Sequence, residues 1–215
     1  VADLGCEACH RQHAAGHPEW LLRTRGESEG CFTCHDGSTA VKNVMQAFHT
    51  LSAHPVETAE GTHTPNEDPL FMQRHVTCAD CHDPHTVRAL PPPGLTTRSR
   101  DAASRIEIFG HVEGVDASGS AVAEARSEAE VCYKCHGLQE ETDFLLTRDD
   151  NVTNTRLELS PGNASFHPVD SMGRNRSIQG LEAGFTPSSL VSCSDCHNHD
   201  QSGVVSGPGP RGPHG

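Results

Sequence analysis

The sequence is short of the side chains that ordinarily fill a protein core. Its 215 residues include seven Phe, one Trp and one Tyr, an aromatic share of 4%, and apolar residues of every kind reach only 34%. That is little for a chain long enough to make one or two domains, so something other than side chains must occupy the middle. No run of 18 or more apolar residues is present, which excludes a helix spanning a bilayer. Positive charge is scarce as well: 16 Lys and Arg stand against 29 Asp and Glu, for a formal net charge of −13. Such a surface repels a phosphate backbone and makes nucleic acid a poor partner. Residues Val1 to Gly5 have neither the basic start nor the apolar run of a secretory leader. Long uninterrupted elements are lacking too, because 20 Gly and 14 Pro punctuate the chain. The expected fold is mostly irregular coil with short helices and a small hairpin.

Cysteine and histidine, by contrast, are abundant, with ten and sixteen copies. All ten cysteines fall in five C-x-x-C-H motifs: Cys6, Cys9 and His10; Cys31, Cys34 and His35; Cys78, Cys81 and His82; Cys132, Cys135 and His136; Cys193, Cys196 and His197. This is the attachment pattern of c-type haem, in which two thiols add across the vinyl groups and the following imidazole becomes the proximal iron ligand. Zinc and dithiol sites use the same cysteine spacing. They do not explain five histidines in the fifth place, a coincidence on the order of one in a million by chance. Five covalent haems, one per 43 residues, also supply the missing apolar bulk, since burial yields about 25 cal/mol per Å². The expectation is a single pentahaem domain over residues 1–215 built around one haem core, with sub-repeats at roughly 1–56, 57–169 and 170–215. Haem of this type is attached after export, so the chain reads as a mature product of the periplasm or the cell exterior.

Between the motifs, Val41, Val44, Met45 and Phe48 recur at helical spacing after Ser38, which predicts a short helix capped there. Pro91-Pro92-Pro93-Gly94 reads as a stiff connector. Ile106 to Ile108 alternates, and Gly114 to Gly119 reads as a turn before Ala121-Val122, predicting a hairpin. Ser127 and Glu130 make a capping box that predicts a helix carrying the fourth motif. His54-Pro55-Val56 and His167-Pro168-Val169 echo one another and suggest duplication.

What fills the second axial position decides between conduction and catalysis. Eleven histidines remain after the proximal five. His13 and His85 each follow a proximal histidine by three residues; His54 and His167 precede a stiffening proline; His214 lies between Pro213 and Gly215. These five are the expected distal ligands, with His75, His49, His111 and His199 in reserve and Met45, Met72 and Met172 weaker alternatives. Iron closed on both sides by imidazole leaves no place for substrate, so the expectation is electron transfer without enzyme chemistry, at low potential. A reductase of the nitrite or hydroxylamine type would need one open haem.

Glu7-Ala8 within the first motif, the doubled spacing of the first two motifs around Leu21-Leu22, Val76-Thr77-Cys78-Ala79-Asp80-Cys81-His82-Asp83-Pro84-His85, Ser165-Phe166-His167-Pro168-Val169 and Ser192-Cys193-Ser194-Asp195-Cys196-His197 together resemble the doubled C-x-x-C-H pattern of multihaem c-type cytochromes. The similarity is to the extracellular and outer-surface cytochromes of metal-reducing bacteria. It implies bis-histidine haems in alternating stacked and T-shaped pairs, other redox proteins or cytochrome subunits as partners, extracellular electron acceptors, and an extracellular or cell-surface location, with the periplasm as the alternative. Some such relatives polymerise, which implies a homopolymer as one arrangement. The sequence departs from the pattern at Gly212-Pro213-His214-Gly215, which leads to no further motif. The fifth motif is therefore expected to be an unpaired half, either because the chain is a truncated or processed piece of a longer cytochrome or because its end docks on another subunit, with His214 capping a haem across that boundary.

Overall fold

The computed structural model describes residues 5–17, 20–40, 42–49, 53–57, 76–86, 109, 111–137, 154–181 and 184–197. Most of these residues are in turns and coil. The α-helices are α1 (Glu27–His35), α2 (Val44–Phe48), α3 (Glu128–His136), α4 (Thr155–Glu158) and α5 (Cys193–Cys196), joined by 3-10 turns at Cys6–Ala8 and Cys78–Asp80. The only sheet among the described residues pairs β1 (Gly114–Val115) with β2 (Ala121–Val122), antiparallel, Gly114 opposite Val122 and Val115 opposite Ala121. Among the described residues no helix is long and apolar enough to cross a membrane.

The chain divides into two compact units. One comprises residues 1–67, 73–89 and 194–215, the other 68–72 and 90–193, so that one boundary falls inside the fifth motif.

In the first unit, α1 begins at Gly26, whose backbone N–H donates to the Glu29 carboxylate, as does that of Arg25. Its buried Phe32 meets Phe48 of α2 with ring centres 5.9 Å apart. The cap of α2 differs from the sequence expectation. Asn43, not Ser38, accepts the Gln46 N–H at 3.0 Å, because the helix begins only at Val44 and Asn43 is the adjacent residue. Ser38 lies in an Asx turn in which its own N–H donates to Asp36 at 2.8 Å.

In the second unit, Ser127 caps α3 by accepting the Glu130 N–H at 3.3 Å, as the sequence predicts, while the Glu130 carboxylate accepts from the N–H of Arg126, one residue ahead of the cap, and not from Ser127 as a full capping box would require. β1 lies so close to this helix that a Cβ on Gly114 would stand 2.9 Å from the Glu130 carbonyl oxygen. The hairpin turn uses Gly119 at φ +88°, a region open to glycine. The first strand is Gly114–Val115, within the segment expected to form the turn; residues 106–108 lie outside the described residues.

The core here is small: Val115, Ala129 and Tyr133, with Leu159, Val169 and Cys193 packed against it. Tyr133 is 1% exposed, and its hydroxyl donates to Asp170 at 2.9 Å. Burial pushes the Asp170 carboxyl above its ordinary range, the Tyr133 hydrogen bond opposing that rise. Tyr133→Ala is expected to cost about 3–5 kcal/mol, by analogy with other large aromatic truncations. Tyr133→Phe, which removes only the donor, should cost roughly 1–3 kcal/mol. Urea unfolding of the two variants checks the order.

Candidate haem attachment and ligation sites

Four of the five motifs adopt two local geometries, and the fifth forms the four-residue helix α5. In the first and third, a 3-10 turn is closed by the second cysteine and the histidine, both donating to the first cysteine's carbonyl: Cys9 and His10 to Cys6 at 3.2 and 2.9 Å, Cys81 and His82 to Cys78 at the same two distances. In the second and fourth, the motif forms the end of a nine-residue helix, α1 or α3. Both geometries place residues three and four apart on one side of a single turn, as the two thiols and the imidazole require. No disulfide joins any of the ten cysteines.

Thiols of different motifs meet. Cys31 and Cys78 share a hydrogen bond that pushes the Cys31 thiol up, as burial also does, and draws Cys78 down against the opposing effect of burial, and Cys78 also donates to the buried Ser28 hydroxyl at 3.5 Å. Cys132 and Cys193 share the same kind of bond, which lowers Cys193. The fifth motif, expected to stand alone, thus has its first thiol against that of the fourth.

The two thiol pairs belong to a repeat longer than the motifs. Arg25-Gly26-Glu27-Ser28-Glu29-Gly30-Cys31-Phe32-Thr33-Cys34-His35 corresponds to Arg126-Ser127-Glu128-Ala129-Glu130-Val131-Cys132-Tyr133-Lys134-Cys135-His136. Ser28 and Ala129 are both buried, as are Phe32 and Tyr133. The His-Pro-Val segments follow with the same turn, Val56 N–H donating to the His54 carbonyl at 2.9 Å and Val169 to His167 at 2.8 Å. Val76-Thr77-Cys78-Ala79-Asp80-Cys81-His82 and Val191-Ser192-Cys193-Ser194-Asp195-Cys196-His197 complete the correspondence.

Among the imidazoles, His10 and His85 are brought together, with ring centres 6.0 Å apart and planes within 7°. The His10 Nδ1 lies 2.9 Å from the Trp20 carbonyl and the His85 Nδ1 3.5 Å from Asp83. Each contact engages Nδ1 and leaves Nε2 for a metal, the usual arrangement behind a ligating histidine. His54 is half-buried, and burial holds its pKa below the ordinary value, favouring the neutral form that binds metals. His13 and His167 are exposed. Of the proximal set, His10, His82 and His136 are half-buried, and His35 and His197 exposed. His214, His75 and His199 lie outside the described residues. Two reserve histidines pair with carboxylates, His49 with Glu57 at 3.0 Å and His111 with Glu124. His17 carries the only buried side-chain polar atom left without a partner among the described residues, its Nδ1. It too precedes a proline, Pro18, a cue that the His-Pro-Val criterion was too narrow to catch.

Paired thiols, imidazoles with one nitrogen engaged, and a buried unsatisfied ring nitrogen form a donor set that fits covalently attached haem. Residues 1–40, spanning the first two motifs, match the family model described as "Doubled CXXCH motif". Over 84 residues the sequence is 32% identical to the multiheme cytochrome MtrA of Shewanella baltica (strain OS185). The chain resembles the multihaem c-type cytochromes, with doubled C-x-x-C-H motifs that indicate covalently bound c-type haem. The alignment takes in 39% of this chain and 18% of that relative, so it spans under a fifth of the relative's length. No solved structure matches the cytochrome.

Proposed function

We propose that the cytochrome transfers electrons through five haems whose irons are each held between two imidazoles, and that it performs no bond-making chemistry. The His10–His85 pair carries this reading. A nitrogen–metal bond of about 2 Å on each side of one iron, plus the distance from each nitrogen to its ring centre, accounts for a separation near 6 Å like the one observed. His85 is then the distal ligand of the first haem, held in place by Asp83 as His10 is by the Trp20 carbonyl. His13, His54, His167 and His214 are assigned to the remaining distal positions. His17 is added as a candidate, because a ligand role would explain its buried, unpartnered Nδ1.

When bound, haem supplies one-electron iron chemistry. The chain's own residues do the rest. The ten cysteines would hold the macrocycles and the imidazoles would hold their irons, and the Cys31–Cys78 and Cys132–Cys193 approaches would make the second and third, and the fourth and fifth, attachment points neighbours. The proposed setting is an exported electron-transfer module across residues 1–215, extracellular or at the cell surface, with the periplasm as the alternative. Its proposed partners are other redox proteins, further cytochrome subunits or its own copies, and an acceptor outside the cell.

Intact-mass measurement of the purified protein together with thiol alkylation tests the haem count. Five added haems and no alkylatable thiol are expected. Fewer haems, or one reactive cysteine pair, would overturn it. Turnover of nitrite or hydroxylamine at an iron that binds them would favour a reductase.

A further inference from the structure

The repeat places one glutamate at the start of each attachment helix and, in both copies, brings it to the junction between two motifs. Glu27 is half-buried, and its Oε1 accepts the backbone N–H of Ala79, inside the third motif, at 2.7 Å. Glu128 is 8% exposed, and its carboxylate, the Cys132 thiol and the Cys193 thiol all lie within 4.8 Å of one another. Two residues further along each helix, Glu29 and Glu130 instead hold the helix starts. The two glutamate positions thus have different tasks although both belong to a first helical turn.

We propose that Glu27 and Glu128 set the reduction potentials of the haems attached at the second and third, and the fourth and fifth, motifs, by holding a negative charge withdrawn from water, partly at Glu27 and almost wholly at Glu128, beside the facing first cysteines. The inference rests on the electron-transfer reading above. Its physical basis is the weak screening of a charge withdrawn from water. Ferric haem carries one more positive charge than ferrous, so a nearby carboxylate stabilises the oxidised form and lowers the midpoint. The same field is felt by the thiols, since Glu27 raises both Cys31 and Cys78, and Glu128 raises Cys193. Covalent attachment converts the thiols to thioethers and leaves the glutamates where the protein put them. These are positioning residues for charge and do not ligate iron.

The test is spectroelectrochemical titration of the haem-loaded, full-length protein with Glu27→Gln and Glu128→Gln, alone and together. Gln keeps the side-chain shape and the acceptor oxygen and removes the charge. Each substitution is expected to raise part of the titration by a roughly tenfold change in the one-electron equilibrium constant, about 59 mV. The two should move different components and add in the double variant. Glu29→Gln, exposed on the same helix as Glu27, should shift less, and its effect should vanish in high salt. Glu27→Asp and Glu128→Asp keep the charge but withdraw it by one methylene, and are expected between wild type and Gln. Unmoved midpoints in the Gln variants, with haem content and spectra intact, would overturn the proposal. Should a Gln variant lose haem, the Asp variant decides: a smaller upward shift supports the proposal and an unmoved midpoint overturns it. A wild-type haem with an open axial face would defeat the bis-histidine reading while leaving these midpoint shifts to be judged independently.

Discussion

Replacing His85 by alanine is expected, on the proposed ligation, to turn one haem from a six-coordinate low-spin centre into one with a vacant axial position. The geometry behind this is the pair of near-parallel rings, 6.0 Å apart, that His85 makes with the proximal His10. Removing one imidazole leaves His10 as the sole strong ligand of that iron, since thioether and carboxylate alternatives are weak or distant in sequence. The reduced variant should bind carbon monoxide at a single site, and exogenous imidazole should restore the low-spin spectrum. His49→Ala, which removes an exposed ring paired with Glu57, should change neither. An all-low-spin His85 variant would move the distal role to another imidazole, with His17 the first to examine because its Nδ1 is buried and without a partner.

A larger loss is expected from Cys132→Ala combined with Cys135→Ala. These cysteines sit on the helix that supplies Ala129 and Tyr133, most of the second unit's small core. Failure to attach one macrocycle removes a few hundred Å² of buried apolar surface. At about 25 cal/mol per Å² that is on the order of 5–10 kcal/mol, comparable to the whole stability of a typical domain, about 5–15 kcal/mol. The variant should therefore lose its haem and also resistance to proteolysis across residues 111–137 and 154–181. The matching change at Cys6 and Cys9, both exposed, should remove one haem at a smaller cost in stability. Limited proteolysis with intact-mass readout distinguishes the two. Equal resistance in both variants would mean that the side-chain core alone sustains the second unit.

The attachment chemistry was legible in the sequence because it is local: five residues specify two thiols and an imidazole with no help from tertiary structure. The sparse secondary structure followed from Gly and Pro for the same reason, and the Ser127 to Glu130 cap needs only four consecutive residues. Nonlocal relations were harder. Nothing in the sequence places His85 opposite His10, because the 74 residues between them must first be folded. The meeting of Cys193 with Cys132 was obscured by reading the motifs as doublets in chain order, which left the fifth without a partner. Comparing the segments around Arg25 and Arg126 would have revealed the second-with-third and fourth-with-fifth arrangement, since Arg, both Glu, both Cys and the His recur in register. The Ser38 cap failed because the helix begins only at Val44, where Asn43 is the adjacent residue and its side chain accepts the Gln46 N–H.

The central claim is that every iron in this cytochrome is closed on both faces by histidine. Low-temperature electron paramagnetic resonance of the oxidised wild-type protein, followed by carbon monoxide challenge of the reduced form, tests it most directly. Only low-spin bis-imidazole signals and no carbon monoxide adduct are predicted. A high-spin signal from even one haem, with a matching adduct after reduction, would contradict the claim.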